Sequence, residues 1–302
     1  MHHSSIRRPR SEKGNMNKVA IMTDTISGIP PEMAEEFGIK VIPLYMIMDG
    51  ISYVETEVNR DQLYARLAQK DNLPTTSSPT AAQYLEAYRE LSRRAEAILH
   101  IHYTSWIGMG YKEAVRAKNM AKKELPQTTI EVIDSRAECG AQLLCVLEAA
   151  RAARDGKSLP ELVAVVNGLI PRLNLFYILD TLYYLRKGGR VGKAAGWVDS
   201  PLAVKSILEL DAATKGVATP AARTRTKAEA IRKLVEIVKE RNQDRMVHAV
   251  LSHGNVSEQA EKLKRQLLSQ VPVKEIHVTG ISLIHAVHWT PGALRLGWYS
   301  ED

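Results

Sequence analysis

Four short apolar runs in the first half of the chain are separated by segments of helical periodicity, and this alternation restricts the fold more than any other feature. The runs are KVAIMTD (18–24), IKVIPLYMIM (39–48), AILHIHYT (97–104) and TIEVID (129–134). Between them, PPEMAEEFG opens with prolines and has Gly38 past its end, the polarity of a helix. AAQYLEAYRELSRRAEA puts Tyr84, Leu85, Tyr88 and Leu91 on one helical face. Strands alternating with amphipathic helices bury both faces of a parallel sheet, so this half reads as a doubly wound α/β domain.

The rhythm breaks at RDGKSLPELVAVVNGLI. Gly156 marks a turn, and Ser158 with Glu161 forms a capping box that opens a new helix. Beyond it the strand candidates come closer together: NLFYIL, VKSILELD, GVATPAAR, MVHAVLSH, KEIHVTGISLIHAVH and LRLGWY. KAEAIRKLVEIVKERN and SEQAEKLKRQLLSQ are the helices among them. The expected organisation is a basic, disordered tail over 1–16, an N-terminal α/β domain over 17–155 and a C-terminal α+β domain over 156–302.

At 302 residues, 45% hydrophobic and 25% charged, the chain has the make-up of a two-domain globular protein. Its net charge of +7 hints at nucleic acid, but the charge is localised. Arg7, Arg8, Arg10, Lys13 and Lys18 against Glu12 put +4 in the first 18 residues and leave +3 for the rest. With no aromatic-basic reader motif, no nucleic-acid partner is expected. The N-terminal stretch has no apolar core and is not a secretory signal. No apolar run is long enough to span a membrane. Cys139 and Cys145 are too few for a disulfide scaffold, and both are expected reduced in a cytoplasmic protein.

Three stretches carry possible chemistry. TTSSPT (75–80) is dense in hydroxyls; Thr80 with Gln83 caps a helix, while Thr76 and Ser77 are placed to bind an acidic group. HYTSWIGMGYKEA (102–114) leads from strand to helix through Gly108, Met109 and Gly110, so the unpaired N–H groups of the helix aim at whatever lies above the sheet. The plainer reading is a connector in which glycine supplies positive φ. Near the C-terminus, IHAVHWTPG sets His288 at the end of an apolar strand, before a turn. GGRVGK follows a helix and lacks a closing Ser or Thr, unlike a phosphate-binding loop. His100, His102, His285 and His288 show no recognised metal-ligand spacing, so no metal is expected. There is no nucleophile elbow and no dinucleotide fingerprint.

Taken in order, TDT, TTSSPT, HYTSWIGMGY, VIDS, DTLYYLRKGGR, TPAARTR and HWTPGALRLGWY resemble the DegV family of bacterial fatty-acid-binding proteins over about residues 17–302. The resemblance implies a two-domain α/β protein with a long-chain fatty acid enclosed between the domains, its carboxylate at the hydroxyl loops and its chain in an apolar tunnel. It also implies that some members present the carboxylate to a fatty acid kinase and catalyse nothing alone. By motif, Thr76 and Ser77 fall at the carboxylate and His288 above it. Arg190 and Arg225 line the outer rim where a partner approaches. No cofactor is implied beyond the bound acyl ligand.

The sequence departs from the family at Gly108, Met109 and Gly110, where Ser-Gly-Thr is usual and the serine binds the carboxylate. Thr290 and Ser206 depart as well. Two other readings therefore stand beside the fatty-acid carrier. One keeps the fold but changes the ligand to another lipid or a small apolar metabolite. The other is an enzyme in the interdomain cleft with His288 as general base, for which the sequence offers no evident nucleophile–base pair.

Overall fold

A computed structural model describes residues 17–198, 204–289 and 291–301. The basic tail and Thr290 lie outside the described residues. In the first part the chain runs β1 (Asn17–Asp24), α1 (Pro31–Phe37), β2 (Lys40–Ile42), β3 (Tyr45–Met48), β4 (Ile51–Val54) and α2 (Arg60–Gln69). It continues through β5 (Thr75–Ser77), α3 (Ala81–Ser92), β6 (Ala95–His102), α4 (Gly110–Glu124), β7 (Thr129–Asp134), α5 (Cys139–Arg154) and α6 (Leu159–Leu169). The second part has β8 (Asn174–Leu179), α7 (Tyr183–Lys187), β9 (Lys205–Glu209), β10 (Thr219–Thr224), α8 (Lys227–Asn242) and β11 (Val247–His253). It closes with α9 (Ser257–Leu268), β12 (Val273–Gly280), α10 (Leu283–Trp289) and β13 (Leu294–Ser300).

The expected alternation produces a parallel sheet in the order β2-β1-β6-β7. α3 and α4 cover one face, with Tyr84, Leu85, Tyr88 and Leu91 buried against Ile98 and Val132. α5 covers the other. The second sheet has the order β10-β9-β8-β13-β11-β12 and is antiparallel except for β11 beside β12. The chain is thus a mixed α/β protein with a parallel-sheet unit and a second-sheet unit.

α5 is buried along CGAQLLCVLEAA at every position but Glu148 because it lies between the sheets, touching β1 and β6 on one side and β11 and β13 on the other. A helix apolar all round belongs in an interior. α6 packs on α5 and on β6 and β7, so the first sheet unit keeps this helix although it follows the Gly156 turn. Its capping box is formed as expected: Ser158 and Glu161 satisfy each other's backbone N–H groups.

Two expectations are corrected. IKVIPLYMIM is not one strand: Pro43, which has no N–H to donate, separates β2 from β3, and the two strands join different sheets. β3 instead pairs antiparallel with β4 and β5, a small sheet that draws Thr75–Ser77 into extended conformation. KEIHVTGISLIHAVH is likewise divided. Its strand stops at Gly280, Ser282 Oγ accepts from His285 N–H at 3.3 Å, and α10 begins. His288 therefore sits on a helix, three residues after His285, and not at a strand end.

Candidate functional site

A cavity of about 380 Å³ lies where the small sheet, the carboxyl end of β6 and α10 meet. Ile26, Leu44, Ile107, Ile284 and Trp289 make its apolar wall. Thr76, Ser77, Ser78, Thr80, Tyr103, Glu113, Arg190 and His288 make a polar one. Gly108 and Met109 border it as well, and the Met109 side chain is 57% exposed. Five of the residues singled out from the sequence (Thr76, Ser77, Gly108, Met109 and His288) thus share one cavity, as does Arg190. Such a space, mostly apolar with a few convergent polar groups, has the make-up of a small-molecule site.

The polar end is organised around one bond. Thr76, on β5, meets His288 of α10 with Oγ1 2.8 Å from Nε2. Burial, reinforced by the Arg190 charge and by His285, pushes His288 down to about 3, so the ring is neutral. Its Nδ1 is buried with no partner. A proton on Nδ1 would be an orphaned buried donor, which is costlier than an unfilled acceptor. The proton therefore belongs on Nε2, donating to Thr76 Oγ1, and the threonine O–H is left to point at a ligand acceptor.

Neighbouring turns fix these groups. α7 ends at Gly188 and Gly189, as the sequence predicts, with Gly189 at φ 72°. Gly188 is needed for space: a Cβ there would stand 2.4 Å from His288 Nδ1. Arg190 then reaches across, its Nη1 donating to Gly188 O and its Nη2 to Ile107 O at 3.3 Å. On the first unit, Thr80 and Gln83 complete the predicted capping box, and Glu113 of α4 accepts from Ala81 N–H at 2.9 Å. The Glu113 carboxylate is thereby tied to the start of α3. Gly110 opens α4 where a Cβ would stand 2.5 Å from the Tyr103 oxygen and 2.8 Å from His102 Nε2.

Thr76, His288 and Arg190 also line a groove of about 450 Å³ on the other side of the same wall. Lys70, Lys187 and Asp71 border this groove, and both lysines lie near the face of Tyr183. Arg225 is not with them. It is exposed in the turn from β10 to α8, on none of the described cavity walls, where its backbone N–H donates to Glu229.

The sequence did not point to Tyr103 and Ser78, whose hydroxyls are 2.8 Å apart on the cavity wall. Nor did it pair Cys139, at the start of α5, with His285. Cys139 Sγ lies 3.1 Å from His285 Nδ1, His285 Nε2 lies 3.1 Å from Glu138 Oε2, and Tyr177 donates to the same carboxylate at 2.7 Å. Arg295 donates to the thiol sulfur. This cluster has the members of a nucleophile–base–acid series, yet its setting opposes that chemistry. Cys139 is fully buried, burial pushes its thiol up to about 12, and it reaches no described cavity wall. A cation beside the sulfur would face the Arg295 guanidinium. His100 and His102 are core histidines: His100 Nδ1 bonds Tyr88 at 2.9 Å while its Nε2 has no partner, and His102 Nε2 bonds Tyr84 at 3.1 Å.

No described helix is long and apolar enough to cross a membrane. The family model described as "Uncharacterised protein, DegV family" matches residues 18–301. A DegV domain-containing protein of Clostridium perfringens is 30% identical over 271 residues, 89% of this chain and 94% of that protein. The structure of a DegV family protein from Thermus thermophilus, described by its fatty acid binding, superposes with a TM-score of 0.86. It is 25% identical, over 94% of this chain and all of that one. DegV of Bacillus subtilis, described as a fatty acid binding protein, gives a TM-score of 0.81 at 29% identity, over 95% of this chain and all of that one.

Proposed function

The chain belongs to the DegV family, and from that premise we propose that it is a carrier for a long-chain fatty acid. The observation that carries this reading is the cavity itself: an apolar wall closed at one end by the Thr76–His288 pair, with Arg190 beside it. The acyl chain lies against Ile26, Leu44, Ile284 and Trp289. The carboxylate takes the Thr76 O–H and the field of Arg190, which replace part of its lost water. Relatives of the same fold are described as fatty acid binding, in keeping with this use of the space.

The groove behind the same wall extends the proposal to a partner. A carboxylate at Thr76 is separated from Lys70 and Lys187 by the wall that Thr76, His288 and Arg190 form between cavity and groove. Forked guanidinium and ammonium groups suit phosphate oxygens, so this face fits a kinase that transfers a phosphoryl group to the carboxylate. The carrier needs no cofactor and performs no catalysis alone. Two buried free thiols suit a reducing compartment such as the cytoplasm.

The test is extraction of the purified native protein followed by mass spectrometry of the bound lipid, with titration of oleate into delipidated protein. Stoichiometric long-chain fatty acid and saturable oleate binding are expected. A different lipid class in the extract, with no oleate binding, overturns the reading.

A further inference from the structure

The polar end of the cavity holds a second pair of hydroxyls. Burial alternates along 75–78: Thr75 and Ser77 are exposed, while Thr76 and Ser78 are partly buried. Side chains two apart on an extended segment share a face, so Ser78 stands on the side of Thr76, while Ser77 borders the cavity as the more exposed of the two. Across from Ser78, Tyr103 lies in the buried run that begins in β6 and brings its phenol oxygen 2.8 Å from the serine Oγ. Between them Gly108 contributes no side chain. A Cβ there would lie 3.3 Å from the Tyr103 oxygen and 3.6 Å from Ser78 Oγ.

We propose that Tyr103 and Ser78 together act as the head-group donor that the 105–110 loop lacks at Gly108; this rests on the fatty-acid reading above. Two hydroxyls carry two protons and their mutual bond uses one. Whichever is the donor, one O–H remains for an acceptor in the cavity that both line. The Gly110 backbone N–H faces the phenol oxygen. Burial raises the phenol well above its ordinary range, so it keeps its proton when a carboxylate arrives. With the Thr76 O–H, the ligand then meets two donors in the same cavity. The two loop glycines follow from the tyrosine, because Gly110 clears its oxygen and Gly108 leaves the adjoining space open.

Oleate and its neutral counterpart oleyl alcohol are titrated by displacement of a fluorescent acyl probe from the full chain and from Tyr103→Phe and Ser78→Ala. Each variant should lose about tenfold or more in oleate affinity, and that loss should exceed the loss for the alcohol by at least about threefold, since bonds to a charged acceptor are the stronger. Gly108→Ser added to Tyr103→Phe should recover part of the oleate affinity by placing a hydroxyl in the vacated space. Should Tyr103→Phe fail to fold, Ser78→Ala decides alone. Wild-type oleate affinity in Ser78→Ala, or equal losses for acid and alcohol, overturns this inference and leaves the carrier reading intact. Failure of the unaltered chain to bind oleate overturns both.

Discussion

Thr76 Oγ1 and His288 Nε2 stand 2.8 Å apart, joining β5 of the small sheet to α10 across the end of the cavity. The residues are 212 positions apart in the chain. The bond does two things at once: it closes the interface and sets the direction of the threonine proton. Thr76→Val keeps the shape and removes the hydroxyl. A charge-assisted hydrogen bond contributes roughly 1.5–3 kcal/mol, so oleate affinity should fall about ten- to hundredfold, read by titration, with the fold retained by circular dichroism. Unchanged affinity would remove Thr76 from the site.

Gly188→Ala tests the same pair from behind. The residue is in ordinary helical conformation, at φ −80°, so alanine strains no backbone. Its methyl would instead meet His288 Nδ1 at 2.4 Å and push the ring off Thr76. Overpacking of this kind costs about 1–3 kcal/mol. The variant should melt several degrees lower and bind oleate more weakly, whereas Gly196→Ala, with open space around it, should do neither.

Because His288 is held neutral down to about pH 3, it should contribute no pH dependence to binding near neutrality. A lowered histidine value means that the folded protein resists protonation, so the ring charges only in strong acid. Oleate affinity measured at pH 6, 7 and 8 should vary less than about twofold. Tighter binding toward pH 6 that disappears in His288→Gln would show that the ring charges in the complex.

Much of this arrangement is readable in the chain because its causes are local. Helical spacing of Tyr84, Leu85, Tyr88 and Leu91 reports α3, and hydroxyl–carboxamide or hydroxyl–carboxylate spacing at Thr80 and Ser158 reports two helix starts. Gly188 and Gly189 report the end of α7. The hydroxyl run at 76 and 77 and the glycine loop at 108 and 109 stand out locally, whereas their meeting with His288 is implied by motif resemblance alone, since nothing local brings α10 to β5. What periodicity misses is set at long range. β5 is extended only because β3 pairs with it, and α10 is buried on every side, so it lacks the polar stripe that distinguishes a helix from a buried strand. Tyr103 follows a buried strand and reads as core until Ser78 and Gly108 are placed beside it. Cys139 and His285 meet from 146 positions apart, beyond any spacing rule.

The same cluster makes a chemical prediction. Cys139 touches His285 and Arg295, an environment that would activate an accessible thiol, but burial outweighs them and raises its value to about 12. Cys145 is equally buried and is raised as well. An aromatic disulfide reagent at pH 8 should therefore find no reactive thiol in the native chain over an hour and two in urea. One rapidly reacting thiol that vanishes in Cys139→Ser would restore Cys139 as a nucleophile.

Asp24 carries the last expectation. It ends β1, is fully buried, and accepts from Ile26 N–H at 3.0 Å and from Gln142 Nε2 at 3.2 Å. These bonds favour its charged form, yet burial dominates and raises it to about 7. Its ordinary value is near 3.8, so between about pH 4 and 7 the folded chain holds a proton that the unfolded chain has released. The unfolded state then binds fewer protons, and stability falls as pH rises through that interval. Asp24→Asn cannot titrate. It keeps an oxygen for Ile26 N–H, and the Gln142 amide, whose Oε1 has no partner, can turn to accept from the new amide. Comparison of variant and wild type cancels the other buried acids whose values are raised, Glu55 and Asp211, which both proteins share. In urea titrations the stability of Asp24→Asn relative to wild type should improve by about 2–4 kcal/mol from pH 4.5 to pH 8. A difference that stays constant with pH would mean that Asp24 is ionised throughout, held by Ile26 N–H, Gln142 Nε2 and the Tyr103 N–H at 3.4 Å in spite of its burial.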